Sequence, residues 1–231
     1  PALYESGEYA WTNTSGENIN AEKTTSFDIG YETYFDSLDL GFNITYFDIL
    51  IEDPIMGSNI TSFQDNVTGA ENKSKGIELS TNWTNNKKLN IGFNYTLTKS
   101  YSGMDCDKPQ KDKWGYTSCL DSGHGWLESA MVRVPIHALS SKIGYQFNND
   151  FDGSLMLTYR GRTRDYGGTD YSFKDQILDE YLLLDLKSSY KLFEGYNLDF
   201  SVKNLFDKNY ENSFLYSGTP RTMNIALKKS Y

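Results

Sequence analysis

Along most of this chain apolar and polar residues alternate singly, which is the period of a strand with one apolar and one polar face. Thr25, Phe27, Ile29, Tyr31, Thr33 and Phe35 share one face, and Ser26, Asp28, Gly30, Glu32 and Tyr34 the other. A turn at Asp36-Ser37 leads into Leu38, Leu40, Phe42, Ile44 and Tyr46, a tight hairpin. Ile77, Leu79, Thr81 and Trp83 alternate next, then after Asn85-Asn86-Lys87 come Leu89, Ile91, Phe93, Tyr95 and Leu97. Leu139, Ser141, Ile143, Tyr145 and Phe147 form another such set, and Phe151, Gly153, Leu155, Leu157 and Tyr159 follow the turn at Asn148-Asn149-Asp150. Leu182, Leu184, Leu186, Tyr190 and Leu192 precede Glu194-Gly195. Tyr196, Leu198, Phe200 and Val202 come after it. The ninth pattern, Met223, Ile225, Leu227 and Tyr231, runs to the last residue.

The connections alternate in length as regularly as the residues alternate in polarity. Short turns fall at Asp36, Asn85, Asn149 and Glu194, and loops at 52–72, 102–133, 165–178 and 205–219. In an antiparallel meander this collects every short turn at one end and every long loop at the other. Transmembrane barrels are built in that way, with periplasmic turns and extracellular loops. A soluble sandwich gives no reason for such alternation, and the apolar sets here lack the paired inward faces of two packed sheets. The fold expected is all-β, an antiparallel transmembrane barrel. Nine strands is an odd number, whereas bacterial single-chain barrels are even, so the chain is expected to be part of a larger barrel.

The ending "VKNLFDKNYE…G.PRT", followed by an alternating strand with a terminal aromatic, resembles the C-terminus of TonB-dependent outer-membrane receptors. Gly76-Ile77-Glu78 after a polar loop is similar to a further pattern of that family. In the family the last residue is usually Phe, with an aromatic two positions earlier; here those positions hold Tyr231 and Lys229. The resemblance implies a plugged 22-stranded barrel in a Gram-negative outer membrane. Residues 1–231 then form its C-terminal portion, with the plug domain and the first barrel strands upstream. It further implies uptake of a scarce nutrient, most often a ferric siderophore, with cobalamin next. The partners implied are TonB through the upstream region, membrane lipid and lipopolysaccharide, a small metal chelate, and the barrel-assembly machinery reading Met223, Ile225, Leu227 and Tyr231. No cofactor is implied.

Composition adjusts this picture at a few points. The chain of 231 residues has a net charge of −9, which leaves no basic patch to displace counterions from phosphates and argues against nucleic acid. No apolar run approaches the ~18 residues of a spanning helix, but strands of about ten half-polar residues cross a bilayer equally well. Aromatics make up 15% of the residues, enough to supply interfacial girdles. There is no signal peptide and Pro1 is not a start residue, so the native N-terminus is expected upstream.

Candidate chemistry gathers in the loops. Arg160, Arg162 and Arg164, with Arg133, point to bidentate capture of carboxylate or phosphate. Tyr166, Tyr171, Trp114 and Trp126 would complete an aromatic vestibule for an anionic metal chelate. The alternative is that the arginines pair with lumen carboxylates such as Asp152 or Asp185. Cys106 and Cys119 share one loop, and in an oxidising compartment they are expected to form a disulfide rather than remain two thiols. Asp105 and Asp107, with Asp112 and Asp121, offer oxygen ligands to calcium without the spacing of an EF-hand, the alternative being a solvated acidic loop. His124 and His137 are the only histidines, and neither has a nucleophile at recognisable spacing. His124 as a haem or metal ligand competes with a plain surface role. No enzyme is expected. The competing functional classes are a non-gated outer-membrane channel or adhesin, with no plug, and a soluble all-β binding module.

Overall fold

The computed structural model describes residues 21–54, 70–85, 88–104, 131–167, 174–193 and 195–229. Nine strands make one antiparallel sheet: β1 (Lys23–Phe35), β2 (Leu40–Glu52), β3 (Ala70–Asn85), β4 (Leu89–Met104), β5 (His137–Gln146), β6 (Phe151–Arg160), β9 (Tyr181–Phe193), β10 (Tyr196–Lys203) and β13 (Thr222–Lys229). Spatial order follows chain order once two small hairpins are set aside, β7 (Thr163–Gly167) with β8 (Lys174–Leu178) and β11 (Glu211–Ser213) with β12 (Tyr216–Ser217). All the sheet pairings are antiparallel, so the breaks at 36–39, 86–88, 147–150 and 194–195 lie at one end. The breaks at 53–69, 105–136, 161–180 and 204–221 lie at the other.

Register shows what the alternation is for. Ile91, Ile143, Leu155, Leu186, Val202 and Met223 form one continuous row across six strands. On the opposite face Gly92, Lys142, Met156 and Asp185 form the matching row. The apolar face has no protein over it. Ile29 is 63% exposed and Ile225 69% exposed, and among the described residues only Leu178, Tyr181 and Val202 are buried hydrophobics. A water-facing sheet with that surface would be a strong association site, whereas lipid is its natural solvent. The sheet is open among the described residues, with β1 and β13 at its edges.

Aromatic rings concentrate at the short-turn end. Phe147 meets Tyr145 edge-on at 4.9 Å and stacks on Phe151 at 4.7 Å, while Phe193 lies 4.6 Å from Tyr196, over which Lys229 places its ammonium at 5.4 Å. Amphipathic rings with a nearby cation suit the level of lipid headgroups.

Several boundaries differ from the pattern-based expectation. Leu38 belongs to a 3₁₀ turn, Asp36–Leu38, closed by Asp39 in the left-handed region at φ 51°, and the strand starts at Leu40. The loop expected at 52–72 is shortened at both ends, to 53–69, because β2 runs to Glu52 and β3 starts at Ala70, and the one expected at 102–133 is displaced to 105–136 because β4 reaches Met104 and β5 starts at His137. The loops expected at 165–178 and 205–219 contain the two small hairpins.

Candidate site at the long-loop end

The small hairpins are held together by one carboxylate. Asp165 on β7 has no solvent exposure, and each of its oxygens is used. Oδ1 accepts from Arg133 Nε at 3.0 Å, and Oδ2 accepts from the Ser213 hydroxyl at 3.0 Å and the Phe214 N–H at 2.7 Å. A buried carboxylate is tolerated only when so satisfied. Asp165 therefore ties the segment before β5, the β7–β8 hairpin and the β11–β12 hairpin into one layer. The backbone reinforces it, since Arg133, at φ 63°, donates its N–H to the Arg164 carbonyl at 2.8 Å.

This layer rests on the inner face of β9. Tyr181 lies opposite Arg160 in the register, packs its ring against that of Tyr210 at 4.5 Å with the two tilted by 44°, and donates its hydroxyl to Asn212 Oδ1 at 2.9 Å. Gly218 permits the close approach, because a Cβ there would enter the Tyr210 ring, and its N–H is bonded to the Tyr210 carbonyl at 2.7 Å.

The segment NLFDKNY is shaped by Asn204, which is 3% exposed and left-handed at φ 50°. Asn is one of the few residues that accepts this conformation without a large cost. Its Nδ2 donates to the carbonyls of Lys208 and Thr219 at 3.0 and 3.1 Å, and its Oδ1 accepts from the Lys208 N–H at 2.9 Å. Its own N–H goes to Asp185 Oδ1 at 2.8 Å. Asp207 then receives the Arg221 N–H at 2.8 Å, which starts the chain back into β13. The motif is thus a clamp that closes the last loop.

Between the β8–β9 junction and the 208–218 loop lies a cavity of about 410 Å³. Ile177, Tyr210 and Phe214 supply apolar lining, while Asp179, Glu180 and Lys208 supply charge. The arginines surround this layer in different roles. Arg162, 55% exposed, pairs through Nε with Glu180 at 3.0 Å. Arg160 donates Nη2 to the Arg133 carbonyl at 2.6 Å, and Arg164 is 4% exposed. The carboxylates facing this group are thus Glu180 and Asp165, not Asp152 or Asp185.

Of the remaining candidates, Tyr166 belongs to β7. Trp114, Trp126, Tyr171, Cys106, Cys119, Asp105, Asp107, Asp112, Asp121, His124 and Tyr231 lie outside the described residues. His137 sits on the outer face of β5, with Nδ1 2.8 Å from the Tyr95 hydroxyl. Among the described residues no group of three or more His, Cys, Asp or Glu is placed to hold a metal ion. Met223, Ile225 and Leu227 stand together on the outer face of β13, opposite Val202, Phe200 and Leu198.

Residues 1–205 match the family model described as TonB dependent receptor-like, beta-barrel. The vitamin B12 transporter BtuB of Vibrio cholerae serotype O1 is 24% identical over 221 residues, covering 96% of this chain and 31% of that protein. The chain therefore spans about a third of the length of the curated relatives it matches. Among solved structures, the siderophore receptor PiuA from Acinetobacter baumannii superposes with a TM-score of 0.70 at 20% identity, covering 90% of this chain and 28% of that one. The FrpB iron transporter from Neisseria meningitidis gives 0.68 at 17% identity, covering 96% and 33%.

Proposed function

Because the chain belongs to the TonB-dependent receptor β-barrel family, and so to a Gram-negative outer-membrane protein, we propose that it forms the C-terminal wall and part of the mouth of a gated receptor importing a ferric siderophore. The observation that carries this reading is the division of labour in the sheet. One face is bare and apolar, the other polar, and at the long-loop end one hairpin packs on the inward-facing Tyr181 and is tied to the other by Asp165, beside a cavity. A passive pore has no need of a loop layer fixed by a buried carboxylate. A ligand-binding mouth does, since preorganised loops lose less entropy on binding.

In this reading the remaining strands, a plug and the TonB-contacting segment lie elsewhere in the parent polypeptide and complete a 22-stranded barrel. TonB supplies the energy that opens the lumen. Arg162 and the cavity-lining Tyr210 and Phe214 contact the chelate, with Tyr166, Tyr171, Trp114 and Trp126 as further aromatic walls. Arg160 and Arg164 hold the frame. Cys106 and Cys119 close their loop as a disulfide, and Met223, Ile225, Leu227 and Tyr231 present the final strand to the assembly machinery. No step of covalent chemistry belongs to this function.

Cobalamin is the second reading, favoured by the match to BtuB over 96% of the chain. Uptake of ⁵⁵Fe-siderophores and ⁵⁷Co-cobalamin by cells with and without the intact gene separates the two. Uptake of one label should depend on the gene and on TonB together, and should fall when Arg162→Ala is introduced with the barrel intact. Uptake of both labels unchanged by loss of the gene would remove the proposal.

A further inference from the structure

Lipid contact fixes the parity of the last strand but not its register. Met223, Ile225 and Leu227 face outward opposite Val202, Phe200 and Leu198. Because the side-chain period is two, sliding β13 by one residue turns all three into the lumen, whereas sliding it by two keeps them in lipid. The inner face discriminates little between even registers, since Thr222, Asn224 and Ala226 are small. Lys228 pairs with Asp199 from a diagonal position, and a slip of two would bring it directly opposite. That lysine is 62% exposed, so its ion pair favours neither register strongly.

Turn geometry does not decide the matter either. β1 and β2, β3 and β4, β5 and β6, and β9 and β10 are each joined across a short break, and a short turn sets pairing by its own shape. β13 has no such partner among the described residues and follows the long break at 204–221. Two side chains span that break. Asn204 is anchored on β9 through its N–H to Asp185, and the next N–H, of Leu205, goes to the Leu184 carbonyl at 2.7 Å. From there its amide reaches the Thr219 carbonyl, three residues before β13. Asp207, left-handed at φ 52° and bonded to the Asn204 carbonyl at 2.9 Å, accepts the N–H of Arg221, the residue just before β13. The start of β13 is thereby measured off from β9.

We infer that Asn204 and Asp207 are a register lock for the C-terminal strand, selecting the pair Lys203↔Thr222 against the registers two residues away. The lock acts while the barrel assembles and needs no cargo, so it goes beyond the transport reading. Two ordinary hydrogen bonds acting together discriminate roughly tenfold or more. The left-handed backbone at both positions explains why Asn and Asp stand there, since they tolerate that conformation and carry the bridging groups as well.

The test is disulfide trapping in the full-length receptor in outer membranes, in a background with Cys106→Ser and Cys119→Ser. Ser201→Cys with Asn224→Cys reports the native register, in which the two lie directly opposite. Ser201→Cys with Ala226→Cys or with Thr222→Cys reports the registers two residues away. Diagonal neighbours lie about 7–8 Å apart, too far to bridge, so each pair reads one register. The unaltered lock should give the 201–224 link alone. Asn204→Gly with Asp207→Gly keeps the left-handed backbone and removes both side chains, and should raise the 201–226 or 201–222 link roughly tenfold. A heat-modifiable barrel of that double variant with the 201–224 link alone would overturn the inference. If the double variant does not assemble, replacing 204–221 by Asn-Gly decides, because that two-residue turn sets the Lys203↔Thr222 pair by itself. Assembly of this variant with the 201–224 link is the expected result. Its failure to assemble would overturn the lock, since the loop would then be required for something other than register.

Discussion

Asp165 shows how much a single side chain can organise when it has no water. Replacing it with Ala leaves the Phe214 N–H and the Ser213 hydroxyl without their acceptor, at about 1 kcal/mol for each half-buried group. The Arg133 contact adds less, because that guanidinium is 58% exposed and screened. None of these partners belongs to the nine-stranded sheet, so the loss should stay in the loop layer. Asp165→Ala is expected to make the 161–180 and 204–221 segments several-fold more sensitive to protease on intact cells while heat-modifiable mobility stays unchanged; equal protection would show that the carboxylate does not hold the layer. The sequence offered little sign of this role. Asp165 stands in RTRDYGGTDYSFKDQ among other polar residues, and its partners lie 32 to 49 positions away. Asn204 was more readable. NLFDKNY was visible as a motif, and the structure supplies its reason, a left-handed backbone whose side-chain amide bridges both sides of the turn.

At the scale of elements, alternation located all nine sheet strands but stopped short of their true ends. β2 is 13 residues long, and β3 and β4 are 16 each. Beyond Tyr46 the pattern inverts: Phe47, Ile49 and Ile51 take inward positions, while Asp48, Lys75 and Lys99 face outward. The ladder continues regardless, since pairing of backbone groups does not require the side-chain phase to persist. Gly76 has a local reason there, because a Cβ would run into the Leu97 carbonyl oxygen first and the Phe47 ring next. At 16 residues and ~3.4 Å per residue the strands far exceed the ~25 Å apolar band of a barrel. Outside that band charge on the outer face is expected. Within it charge is costly, so Leu155→Arg, in the middle of the outer row, should lower barrel stability by about 2–4 kcal/mol. Ser154→Arg, on the inner face one residue away, should cost little. Urea unfolding in liposomes measures both, and equal effects would mean that the two faces have been assigned wrongly.

For the whole molecule, the alternation of short and long connections was the feature that made topology legible. It placed four turns at one end and four loops at the other, and the antiparallel register agrees. The loop hairpins were less legible because strands of two to five residues carry too few positions for a period to appear.

Among the described residues β1 and β13 each leave one side unpaired, and the proposed function seats both edges beside further strands of a closed barrel. The most direct test is an immunoblot of outer-membrane fractions with an antibody to residues 210–229. A heat-modifiable band roughly three times the 26.4 kDa of this chain is expected, as the 31% coverage of its curated relative implies. A band near 26 kDa in those fractions, or none there and one in the soluble fraction of the same cells, would contradict it.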